Sequence, residues 1–204
     1  MGVQSMRKPL QNVLLILGVT LVSACTSFKT SNDYMSVPDD SAVRPEPGQA
    51  LFIFERDNAR VGEWSSLGVW EITGREPQLI GLLHGTMKAA WSVDPGDHDF
   101  MLNMGGAAQM LKTHVDAGKT YFVQLNNNMW GSEGPSSYRF CPVRAGTENP
   151  MTNTNIGRFN TSAEDESLGR LDSAAKHIEN VYKIWDEYTA ELKQRFTMNA
   201  EDGR

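Results

Sequence analysis

"AQMLKTHVDAGKTYFVQLN", Ala108 to Asn126, decides the fold class. Two short runs, Ala108–Asp116 and Thr120–Asn126, carry apolar, β-branched and aromatic residues. Between them Ala117-Gly118-Lys119 reads as a tight turn, with the glycine supplying a permissive backbone. Two strands joined by a turn are the natural reading. The same texture extends in both directions. Ala50–Arg56, Leu67–Ile72, Gln78–Leu83, Met87–Val93, His98–Leu102 and Ser137–Val143 are further strand candidates. Turn signals separate them: "TGREP" after Ile72, Pro95-Gly96, and Gly105-Gly106. Many short strands in under a hundred residues predict a mainly β domain over residues 49–143. The expected architecture is a small antiparallel β-sandwich of about seven to eight strands with a C-terminal amphipathic α-helix.

Residues 144–160 are polar and irregular and read as a linker. The helix is expected over 161–198, because the period changes there. Leu171, Ala174, Ile178, Val181, Trp185, Tyr188 and Leu192 recur at spacings of three and four, which places them on one face of a helix. Thr161 or Ser162, with acids at 164–166, offers a start. The stripe has two possible partners: its own sandwich, or another copy or envelope protein. In the second case Tyr182, Trp185 and Tyr188 would carry the contact, since aromatic residues dominate interface energetics.

At the other end, Arg7 and Lys8 precede an apolar run, Val13–Val22, and then Ser23-Ala24-Cys25. Positive, apolar and small-residue segments in that order form a secretory signal. Ten residues of helix reach only about 15 Å, roughly half of a ~30 Å hydrocarbon core, which disfavours a permanent span. Val22-Ser23-Ala24-Cys25 resembles the bacterial lipobox. The resemblance implies cleavage after Ala24 and acylation of Cys25, which would be the only prosthetic group expected. Thr26, in place of Asp, then implies the outer membrane, facing the periplasm. Residues 25–48, rich in Ser, Asp and Pro beyond Phe28, read as a flexible tether. With Cys25 acylated, Cys141 has no disulfide partner among the chain's two cysteines.

"VDPGDHDFML" (Val93–Leu102) and "VDAGKTYFVQL" (Val115–Leu125) together resemble the paired turn signature of a lipoprotein domain family of unknown function, and are similar to PEGA-type β-sandwiches of bacterial envelopes. The matching positions are Pro95, Gly96, His98, Ala117, Gly118, Lys119 and Tyr121. The resemblance implies a fold and an envelope location, and it implies no activity.

The formal charge is -6 over 204 residues; without residues 1–24, 17 basic stand against 25 acidic residues, a net of -8. That balance, with no basic cluster, argues against nucleic-acid binding. His84, His98 and His114 could converge on an open zinc site, although no pair of the histidines has the i, i+2 or i, i+4 spacing that places two ligands on one face of a single element. Cys141 is expected to point inward between Phe140 and Pro142 as a small buried hydrophobe. "GGAAQM" lacks the spacing of a phosphate loop, and no serine or carboxylate pair has a hydrolase setting. The loop Asn126–Ser137 carries Trp130 at an aromatic tip, a candidate contact for a sugar or protein partner. The function expected from sequence is a membrane-anchored, non-enzymatic binding or scaffolding module. A metal-dependent periplasmic protein and a glycan- or peptide-binding sandwich are the alternatives.

Overall fold

The computed structural model describes residues 35–36, 44–56, 67–83, 88–104, 107–127, 138–147, 156–159 and 164–204. Residues 1–24, Cys25, His84, the Gly105-Gly106 turn and Trp130 lie outside the described residues, as does most of the expected tether.

All eight expected strands form: β2 (Ala50–Arg56), β3 (Leu67–Glu71), β4 (Gln78–Leu83), β5 (Lys88–Val93), β6 (Gly96–Met104), β7 (Ala107–Val115), β8 (Thr120–Asn127) and β9 (Tyr138–Pro142). Three short strands join them: β1 (Met35–Ser36), β10 (Ile156–Phe159) and β11 (Thr197–Met198). They build a six-stranded sheet, β1-β10-β5-β2-β8-β9, and a five-stranded sheet, β11-β7-β6-β3-β4. The fold is a mainly β, sandwich-like architecture with a C-terminal helix. The sheets are mixed, not antiparallel throughout. β2 pairs parallel with β8, β10 with β5, and β11 with β7. Parallel neighbours need long crossovers, and a pattern of short strands and tight turns reveals the hairpins only. β10 lies inside the stretch read as linker, and β1 inside the tether. β1 closes on β10 in antiparallel register, Met35 opposite Phe159, pairing backbone groups that an open edge would leave bare.

Alternation along each strand sends one set of side chains between the sheets. Phe52 and Phe54 of β2 meet Phe100 of β6 there, with ring centroids 4.6 and 5.2 Å apart, and Tyr121 of β8 stacks on Phe52 at 5.3 Å. All four are fully buried, and each contributes about 1.5–3 kcal/mol of transfer free energy. The opposite set of the five-stranded sheet, including Trp70, Leu82, Met101 and Met110, is also apolar. It is covered by α1 (Glu164–Glu187) through Ala174, Ile178, Val181 and Trp185. The helical stripe therefore docks on its own sheet.

The helix is shorter than the expected 161–198. It stops at Glu187, and Thr189 is extended (φ -62°, ψ 161°), with its hydroxyl accepting from Leu192 N to cap a separate helix, α2 (Ala190–Arg195). The chain then inserts Phe196 under α1 and Met198 into the main core. Arg144 locks this reversal by donating to the Gln194 and Arg195 carbonyls, each at 3.0 Å, and to Asp202 at 3.0 Å. A cation at the end of α2 meets carbonyls that have no partner within the helix.

Trp185→Ala is expected to cost about 3 kcal/mol in chemical denaturation and to leave the oligomeric state of the wild type unchanged. Unaltered stability with altered assembly would show that the stripe serves a partner instead.

Candidate functional site

Period-two alternation on β6 and β7 distributes the polar residues between two places. His98 shares the inward face of β6 with Phe100, whose ring lies 6.3 Å from its own. Asp97 and Asp99 face outward, opposite His114 and Lys112 of β7.

The inward group forms a network at the rim, where the two sheets approach. Glu71, at the end of β3, accepts from three donors. Trp91 Nε1, from β5 in the other sheet, donates to Oε2 at 2.7 Å. Thr73 Oγ1 donates to Oε1 at 3.1 Å, and His98 Nδ1 lies 2.7 Å from the same oxygen. The second ring nitrogen, His98 Nε2, is 2.7 Å from the carbonyl of Asp94 in the β5–β6 turn. Side-chain exposure is 15% for Glu71 and 12% for His98. Burial raises the Glu71 pKa, but the hydrogen bonds from His98 and Trp91 outweigh it and hold the carboxyl below its ordinary range. Burial likewise lowers His98, and the bonds to Glu71 and the Asp94 carbonyl prevail, holding it above its ordinary value. With an ionised carboxylate on one side and a carbonyl on the other, both nitrogens must donate. His98 is thus assigned as an imidazolium.

The outward group lines an open cleft of about 360 Å³, formed by Thr73, Asp97, Asp99, Lys112, Thr113, His114 and Thr197. Lys112 Nζ donates to both Asp99 oxygens at 3.1 Å. Tyr182 of α1 donates to Asp99 Oδ2 at 2.7 Å. Burial, and next the hydrogen bond to Asp99, push the Tyr182 hydroxyl well above the usual phenol range. Lys112 also lies 5.4 Å from the Tyr182 ring centroid and 5.7 Å from that of Trp185. Farther out, His114 Nδ1 meets Asp97 Oδ1 at 2.7 Å, with side chains 59% and 89% exposed. Lys112 thus faces Asp99, and the His114 ring lies against Asp97. The hydroxyls are committed as well, Thr73 to Glu71 and Thr197 to the Lys193 carbonyl at 2.7 Å. The arrangement offers hydrogen-bonding edges and no activated nucleophile.

Several sequence-based expectations are corrected by this placement. His98 and His114 lie on opposite faces of one sheet, so these two do not converge on a metal; His84 lies outside the described residues. Both nitrogens of His98 are also engaged. Among the described residues no group of three or more His, Cys, Asp or Glu is placed to hold a metal ion. Trp185 is 7% exposed within the protein's own core, while Tyr182 and Tyr188 pack partly buried beside it; as placed, none of the three presents its ring freely to a partner. Cys141 does not point between the sheets. Phe140 takes that position, paired with Leu125, and Cys141 faces the other way opposite Gln124. It is half-buried, and burial pushes its thiol up.

Glu71, Trp91, Asp97, Asp99 and Lys112 were not singled out by sequence. Asp97-x-Asp99 and Lys112-x-His114, each spaced by two on consecutive strands, are the signal for the outward group. Nothing local marks Glu71, because its partners come from elsewhere in the chain. Gln49, before β2, touches both turns: its Nε2 donates to Asp94 Oδ1 at 3.2 Å, and its carbonyl accepts from Gly118 N at 2.8 Å.

No protein-family model matches the chain, and no curated protein matches it either.

Asp99→Ala strands two half-buried donors, Lys112 and Tyr182, and is expected to cost about 1–3 kcal/mol. Asp97→Ala breaks only an exposed pair and is expected to leave the denaturation midpoint unchanged.

Proposed function

We propose that this protein is a lipid-anchored envelope protein whose sandwich acts as a non-enzymatic binding or scaffolding module. One observation carries the reading: Val22-Ser23-Ala24-Cys25 follows directly on the short apolar run Val13–Val22. Cleavage after Ala24 would make Cys25 the first residue, and its thiol would carry the acyl chains. Acyl chains contribute about 0.8 kcal/mol per buried CH₂, so two or more hold firmly. Among the described residues no helix is long and apolar enough to cross a membrane, which fits attachment through lipid as well as it fits no attachment. The compensated charges and committed hydroxyls of the cleft support binding in preference to catalysis. The PEGA-like resemblance belongs to this proposal and rests on the sequences Val93–Leu102 and Val115–Leu125. The outer membrane, facing the periplasm, is the proposed location, on the strength of Thr26.

A second reading, a glycan- or peptide-binding sandwich, is favoured by the cleft itself. Its volume suits one or two small polar units, and Trp185 beside Lys112 supplies a fluorescent reporter. Titration with peptidoglycan fragments is expected to shift the emission, and Lys112→Ala to abolish the shift. A flat titration would remove this reading.

Labelled palmitate is expected to enter the wild type in bacterial cells and not Cys25→Ser, which should leave the membrane fraction. Label retained in the variant would overturn the anchor.

A further inference from the structure

We propose that His98 is a pH-operated latch: as an imidazolium it ties the β5–β6 turn to Glu71 at the mouth of the sandwich, and loss of its proton frees the turn and the cleft residues on the same strand. The inference stands on geometry and is independent of what the cleft binds. His98 bridges two acceptors at 2.7 Å, the Glu71 carboxylate and the Asp94 carbonyl. A neutral imidazole has a single N–H. Deprotonation therefore turns one of these contacts into a lone pair facing an oxygen, at the half-buried Glu71 side or at the more exposed Asp94 carbonyl. The charged groups facing the ring are Glu71 from β3 and Asp94 from the turn, both anionic. Trp91 from β5 and Thr73 reach it through Glu71, and Thr113 from β7 donates to its carbonyl at 3.1 Å.

The turn is the part free to respond. Among the described residues a further side-chain tie runs from Gln49 to Asp94. The turn passes through Gly96 at φ +131°, a conformation open mainly to glycine. Asp97 and Asp99 flank His98 on β6, so a shift of this segment moves the outer wall of the cleft.

The sign follows from the direction of each shift. The folded His98 value is raised, so its contribution is complete below the ordinary histidine value of about 6.5 and is lost as pH rises through the folded value. Glu71 is lowered, so its contribution is present above about 4.5 and is lost as pH falls through its folded value. The latch is closed between the two folded values.

Amide hydrogen exchange of residues 94–99, corrected for intrinsic rates, tests this on the chain from residue 25 onward. Wild-type protection is expected to fall severalfold between pH 6 and pH 9 as the ring loses its proton and with it one of its two bonds. His98→Gln should show low protection at both pH values, and His114→Gln the full wild-type response. Equal protection at both pH values, or an undiminished response in His98→Gln, overturns the proposal. Should His98→Gln fail to fold, the ring ¹⁵N shifts of wild-type His98 decide the matter. Two protonated nitrogens at pH 6 that give way to one at pH 9 support the latch, and a ring already neutral at pH 6 refutes it.

Discussion

The Glu71 carboxylate stands where the two sheets meet, and its bonds fasten them at that rim. Trp91 reaches it from the six-stranded sheet, and His98 and Thr73 from the five-stranded side. Hydrophobic burial drives the sheets together, but it is non-directional and would tolerate a sliding of one sheet over the other. A half-buried anion with three donors in fixed positions does not. Its removal would strand an indole N–H and a cation in a largely water-excluded rim, and unmet polar groups there are costly. Arg56 plays a related part at the opposite end of β2, where its guanidinium, fully buried, donates to the Leu83 carbonyl at 3.1 Å across the sheets.

From that fastening the remaining placements follow by alternation. With Glu71 and His98 held inward, Trp70 and Asp99 must face outward, and so must Lys112 and His114 across the β6–β7 ladder. One strand, β6, thus supplies the core (Phe100, Leu102), the rim (His98), the bed of the helix (Met101) and the cleft (Asp97, Asp99). A single-residue slip would exchange all of these at once. Tyr182 joins the outer layer to the same register, since its hydroxyl bonds Asp99 while α1 covers Met101 and Met110.

Much of this was legible in the sequence where the determining information is local. Eight strands were readable from apolar runs and turn residues, and the helical stripe from its period. The parallel pairing of β2 with β8 was not, because it joins residues about seventy positions apart with no hairpin to announce it. The break at Tyr188–Thr189 was hidden by an apolar stripe that continues through Leu192; the capping hydroxyl of Thr189 is the only local signal. Cys141 was assigned to the wrong face because strand register was unknown, and one residue decides the side. The histidines show the same limit. Their types suggested a metal site, while their parity on consecutive strands separates His98 from His114. Glu71 escaped notice because it is defined by partners from β5, β6 and the segment following β3.

The proposed envelope role and the fold meet in one respect: a tethered domain works by presenting a rigid surface, and the rim network supplies rigidity beside the cleft. The account depends most on Glu71 coupling the two sheets, and a double-mutant cycle between Glu71→Ala and Trp91→Phe measures that coupling directly. Bonds to a charged acceptor contribute about 1.5–3 kcal/mol, so the predicted interaction energy is roughly 1.5 kcal/mol or more by equilibrium denaturation. Additive single-variant effects, within about 0.5 kcal/mol, would contradict it.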